Sequence, residues 1–135
     1  MKKELLEKLE KERNDPSVII CSIDKDLKGT PGWHYEWPHH GNNGKLYWVS
    51  QEEADKWFYI QLLMGDKATD NIEGIKGIGE KKARKILKGL TTVEDMYRAC
   101  LKAYEDHGMN YFDLLETANL IYIQREHNVL WTPPV

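Results

Sequence analysis

Gly65–Leu87 reads GDKATDNIEGIKGIGEKKARKIL, and the fold is decided by how this stretch is read. It carries two carboxylates, Asp66 and Asp70, then three glycines, Gly74, Gly77 and Gly79, then the basic residues Lys81, Lys82, Arg84 and Lys85. Carboxylates are hard oxygen ligands for small divalent ions. A glycine turn opening a basic helix is a site for phosphate. Metal-ligand and phosphate-binding signals so close together point to phosphodiester chemistry on nucleic acid.

The pattern Ile72-x-x-Ile75-x-Gly77-Ile78-Gly79-x-x-x-Ala83 fits a helix-hairpin-helix, in which apolar residues lock two short helices around a glycine–apolar–glycine turn. Glycine tolerates positive φ and lets the backbone come close to a phosphate. Exposed N–H groups from Gly77, Ile78 and Gly79 onward then cradle the anion, with Lys76, Lys81, Lys82 and Lys85 as counter-charge. Contacts of this kind read the backbone and carry no base sequence. The competing reading is a plain αα-turn with a solvated basic face.

Working outward, Ser50 followed by Glu53 forms an S-x-x-E capping box, so a helix runs from Gln51 to about Met64 through Ala54, Trp57, Phe58, Leu62 and Leu63. Downstream, a helix over 81–88 stops at Gly89, Thr92 with Asp95 caps another reaching Tyr104, and a last helix covers about 111–126. The tail after residue 129 holds Pro133-Pro134 and reads as extended. Upstream, Leu5, Leu6 and Leu9 mark an amphipathic helix over 3–13, placed as a cover for the sheet edge. The β-branched run SVIICSI (Ser17–Ile23) reads as a strand buried on both faces. WHYEW (Trp33–Trp37) and LYWVS (Leu46–Ser50) alternate like the arms of a hairpin with a long polar loop. The fold class is therefore α/β and helix-rich, a remnant of a parallel sheet with a β-hairpin, followed by a helix-hairpin-helix bundle. The division falls at 1–50 for the sheet part and 51–135 for the DNA-binding part, packed as one compact unit.

The strand over 17–23 ends on Asp24-Lys25-Asp26. Ligands in α/β sheets gather beyond the carboxyl ends of strands, so Asp24 and Asp26 join Asp66 and Asp70 as candidate Mg²⁺ or Mn²⁺ ligands. Such an ion stabilises charge on a phosphodiester and acidifies the attacking water. Either carboxylate pair alone has a simpler reading as turn or cap chemistry. The adjacent histidines His39 and His40 read as a solvated loop, and the five tryptophans mainly as core.

Composition bounds the rest. The 135 residues carry a formal net charge of −3, so any nucleic-acid contact is a local basic patch on an acidic chain. Cys21 and Cys100 lack metal-binding spacing and read as reduced thiols packed as small hydrophobes. There is neither a secretory apolar segment nor a run long enough to span a membrane, which makes a cytoplasmic setting the default expectation.

Three segments together, CSIDKDL (Cys21–Leu27), TPGWHY (Thr30–Tyr35) and the long run Glu52–Leu87, resemble the phage and bacterial 5′-3′ exonuclease and flap endonuclease family, including the 5′-nuclease domain of bacterial DNA polymerase I. The resemblance covers roughly Pro16 to the final helix. It implies that Asp24, Asp26, Asp66 and Asp70 serve as metal-binding catalytic carboxylates. It also implies that the turn belongs to a helix-three-turn-helix motif that grips duplex or flap DNA, often with K⁺ in the turn. The family spaces the later pair as G-D-x-x-D, and this chain has one extra residue, so which of residues 67–70 turns inward stays open. The family's first-strand Asp, its basic arch and its acidic cluster have no counterpart before Pro16; Glu52-Glu53-Ala54-Asp55 lies after the strand and is not that cluster. The expectation is a C-terminal half of such a nuclease, cleaving only when a separate N-terminal half completes it. The alternative is a stand-alone, non-catalytic binder of duplex or branched DNA.

Overall fold

The computed structural model describes residues 3–22, 29–38, 41, 43–66, 72–122 and 131–134, the side chain of Leu5 apart. The chain divides into two compact units, Met1–Ala54 and Asp55–Val135. Together they give a helix-rich α/β fold: a small mixed sheet in the first unit and a helical bundle in the second.

In the first unit, helix α1 (Lys3–Asn14) leads to strands β1 (Ile19–Cys21), β2 (Gly32–Glu36) and β3 (Lys45–Val49). The sheet order is β1-β2-β3, with β1 parallel to β2 and β3 antiparallel to it. The hairpin expected from the alternating aromatic runs is present, one residue earlier at each end. Trp33 pairs with Trp48 across it, and their rings meet edge to face at 5.5 Å. The expectation of a doubly buried first strand is corrected. β1 is three residues long and, among the described residues, pairs only with β2; Val18 is 64% and Ile19 47% exposed. A β-branched run reports strand propensity, whereas burial depends on what the rest of the fold lays against it. Cys21 is exposed for the same reason, and only Cys100 behaves as a packed hydrophobe.

Helix α1 also differs from expectation, because it lies against β2, the central strand. The Trp33 indole donates to the Arg13 carbonyl at 3.2 Å, and the Arg13 guanidinium sits 5.8 Å from the Trp48 ring centre. The connection to β1 is held by Glu12, whose carboxylate accepts from the amides of Ser17 and Val18, each at 2.7 Å, and from the Ser17 hydroxyl at 2.8 Å. These bonds, the hydroxyl's first, hold the Glu12 carboxyl below its ordinary range.

Helix α2 (Gln51–Met64) begins as its cap dictates, with the Glu53 amide donating to Ser50 Oγ at 3.1 Å. In the second unit every residue from Trp57 to Leu63 is buried, so α2 is apolar nearly all round and forms the centre of the bundle. Around it pack α3 (Glu80–Ile86), α4 (Val93–Asp106) and α5 (Tyr111–Ile121). Thr92 caps α4 by accepting from the Asp95 amide, and Asn110 with Asp113 forms a full capping box on α5. Helix α5 stops at Ile121, five residues short of expectation, because Tyr122 is already extended at φ −69° and ψ 122°. Trp131 closes the core against Phe58 and Tyr97, at 5.6 and 6.1 Å. Among the described residues no helix is long and apolar enough to cross a membrane.

Candidate nucleic-acid interface

Of the four candidate carboxylates, the described residues include one, Asp66; Asp24, Asp26 and Asp70 lie outside them, as do His39 and His40. Asp66 sits where α2 gives way to a two-residue ladder, β4 (Gly65–Asp66) with β5 (Ile72–Glu73), and is only 7% exposed. Sequence reading missed this ladder, since two residues cannot show a strand period. It depends on glycines: a Cβ on Gly74 would fall 2.6 Å from the Leu63 carbonyl oxygen, and one on Gly65 would meet the backbone of Gly74 and Ile72. Gly65 also holds a positive φ of 71°.

The last turn of α2 is clamped from two sides. Its terminal carbonyls have no partner within the helix. The Ile75 amide donates to the Leu63 carbonyl at 2.8 Å, and the Tyr104 hydroxyl donates to that of Leu62 at 2.6 Å. This fixes the backbone on which Asp66 stands. An oxygen ligand on a rigid, water-poor frame suits a hard divalent ion. Among the described residues, no three His, Cys, Asp or Glu side chains converge.

Beyond β5 the chain makes a single turn, closed by Ile78 N–H on the Ile75 carbonyl at 3.1 Å, and enters α3. The expected first short helix of the hairpin is absent: Ile72–Glu73 is strand, and only the helix after the turn forms. Ile75, Ile78, Ala83 and Leu87 are buried, pinning the turn and one face of α3 to the core. Lys76, Gly77, Gly79, Lys81, Lys82 and Lys85 are left on the surface. The buried Ile78 side chain is therefore an anchor, and the residue can meet a ligand only through its backbone.

The glycines of the turn differ in what they do. Gly77 has a φ of 86°, which only glycine adopts without strain. Gly79 is the N-cap of α3 at φ −98° and ψ −173°, ordinary extended backbone, and a Cβ there would meet nothing within 4 Å. The fold does not require glycine at this point. As N-cap, Gly79 offers no side-chain acceptor to the first turn of α3.

Lys76, Gly77, Ile78, Lys82, Lys85 and Ile86 line an open cavity of about 380 Å³ together with His107. The Lys82 ammonium donates to the Gly77 carbonyl at 3.3 Å, folding back over the turn. Arg84 is occupied elsewhere, 3.1 Å from Glu80 and 5.9 Å from the centre of the Trp57 ring. His107 comes from the end of α4 and was missed by sequence reading. It lies more than twenty residues from the lysines it joins, with no motif to connect them.

No family model matches the chain, and no solved structure matches it. Three curated relatives do. The thermostable DNA polymerase I of Thermus aquaticus is 33% identical over 110 residues, taking in 70% of this chain and 11% of that protein. That of Thermus caldophilus is 31% identical over 91 residues, 64% of this chain and 11% of the relative. DNA polymerase I of Caldicellulosiruptor bescii is 50% identical over 38 residues, 28% of this chain and 4% of the relative. The chain is thus similar to one segment of DNA polymerase I and spans about a tenth of the two Thermus relatives' length.

Proposed function

We propose that this chain binds the phosphate backbone of duplex or flap DNA through the turn at 76–79 and the lysine face of α3, as part of a 5′-3′ exonuclease or flap endonuclease. The observation that carries the proposal is Gly79. Neither φ nor packing requires glycine there, yet it sits beside Lys76, Lys82 and Lys85 at a lysine-lined cavity. A residue without a side chain makes sense where an outside group must come close to the backbone. The lysines make that group an anion, and similarity to a segment of DNA polymerase I supports DNA as its source. Without base contacts, the binding is independent of sequence and steeply salt-dependent.

In this reading Asp24, Asp26, Asp66 and Asp70 hold a Mg²⁺ or Mn²⁺ ion, which when bound supplies Lewis-acid charge stabilisation at the phosphodiester. Two-metal hydrolysis needs ions roughly 4 Å apart, held from both sides. Cleavage then calls for further carboxylates from a complementary N-terminal half. A K⁺ ion at the turn would draw on carbonyls such as that of Gly77, which already faces the Lys82 ammonium.

The test is Gly79→Asp. Aspartate is a good N-cap, so the variant should melt at or slightly above the wild-type temperature. Its charge stands where the phosphate should come, so affinity for a labelled flap duplex should fall at least about tenfold. Undiminished affinity, particularly with Lys82→Glu added, would sink the DNA-binding reading. Adding Mg²⁺ or Mn²⁺ tests the catalytic part, and vigorous flap cleavage by the chain alone would contradict the need for a partner half.

A further inference from the structure

We infer that His107 is a proton-linked ligand of the same DNA phosphate, extending the binding site from the turn and α3 to the end of α4. The inference rests on the DNA-binding reading above. His107 shares the cavity with Lys76, Lys82 and Lys85. Its Nδ1 lies 2.8 Å from the Ala103 carbonyl oxygen, which can only accept, so Nδ1 carries a proton and donates. Nε2 remains as the second ring nitrogen, a proton acceptor in the neutral ring and a donor once the ring is charged.

The surrounding charges make that second proton conditional on the ligand. From the turn and α3, the three lysine ammoniums facing the cavity oppose a further positive charge. On its own helix, the C-terminal carbonyls of α4 and the neighbouring carboxylates Glu105 and Asp106 favour it. From α5, the Asp113 carboxylate is engaged at the cap, accepting from the Asn110 amide at 2.9 Å. A phosphate entering among the lysines removes the opposition and offers an acceptor. Nε2 then takes a proton from solvent and donates it to a phosphate oxygen, while Nδ1–H stays on Ala103. Binding of one phosphate is coupled to uptake of one proton.

The experiment is anisotropy titration of a labelled flap duplex at about pH 6, 7 and 8 and constant ionic strength, with wild type, His107→Ala and His107→Lys. One linked proton changes affinity by at most about tenfold per pH unit. The wild-type gain between the extremes should exceed that of His107→Ala by roughly three- to tenfold. His107→Lys, always charged, should bind at pH 8 more tightly than wild type and show the flat response of the alanine variant. Competing inorganic phosphate should displace the DNA more effectively at low pH from wild type only. If all three proteins bind DNA with the same pH response, the inference is overturned and the DNA-binding reading stands. If wild type fails to bind DNA at any pH, both fall.

Discussion

Replacing Tyr104 by phenylalanine tests whether the frame beneath Asp66 is held as described. Tyr104 is fully buried, and its hydroxyl donates at 2.6 Å to the Leu62 carbonyl, one of those at the end of α2 that the helix leaves without a partner. Phenylalanine keeps the ring and opens almost no cavity, so the cost is the lost hydrogen bond and a stranded acceptor, about 1–3 kcal/mol. For a chain of this length that corresponds to a drop in Tm of roughly 4–12 °C, read by circular dichroism near neutral pH. The alkaline limb gives a second, independent reading. Burial, partly offset by a hydrogen bond with Thr117, pushes the Tyr104 phenol up to about 12. A phenol raised on folding contributes stability that is fully present below its unfolded value near 10, and loses it as pH climbs from there towards about 12. The wild type should therefore lose its margin over Tyr104→Phe across that window. A variant that melts within about a degree of wild type at neutral pH would show that the clamp on α2 is not energetically real.

Two further outcomes follow from the local geometry. Gly74→Ala places a Cβ 2.6 Å from backbone atoms of Leu63 and Met64, so it should destabilise the second unit by more than about 3 kcal/mol in urea titration; near-wild-type stability would refute the close backbone crossing. Glu12→Gln removes the carboxylate that joins α1 to β1. Because the hydroxyl and amides of Ser17 and Val18 hold that carboxyl low, its stabilising effect is present above the ordinary carboxylate range and is lost as pH falls through the depressed folded value. Exchange of the Ser17 and Val18 amides should accordingly speed up in acid for wild type and be fast throughout for the variant, and identical profiles would rule out the carboxylate's role.

What could be read in the sequence was whatever is local. Ser50, Thr92 and the alternating aromatic runs each act within a few residues, and the helix starts and the hairpin appeared where those signals put them. The misreadings concern what arrives from a distance. SVIICSI has the composition of a central strand, but burial depends on neighbours that composition does not describe, and Val18 and Ile19 stand in solvent. The β4–β5 ladder is two residues long and exists because Gly65 and Gly74 allow two backbones to cross. His107 reaches the lysines through the packing of α4, which no spacing along the chain announces.

The glycine run shows most clearly what coordinates add to a motif. As sequence, Gly74, Gly77 and Gly79 look like one signal. In space they have three separate reasons. Gly74 is needed because another backbone occupies the place of its side chain, and Gly77 because its φ is positive. Both would be conserved by the demands of folding in a chain that bound nothing. Gly79 meets neither demand. A functional argument drawn from the whole motif is diluted by two residues with structural explanations, whereas one drawn from Gly79 alone is not. That is why Gly79→Asp, which should help the helix and harm DNA binding, separates fold from function where a substitution at Gly74 or Gly77 would damage both together.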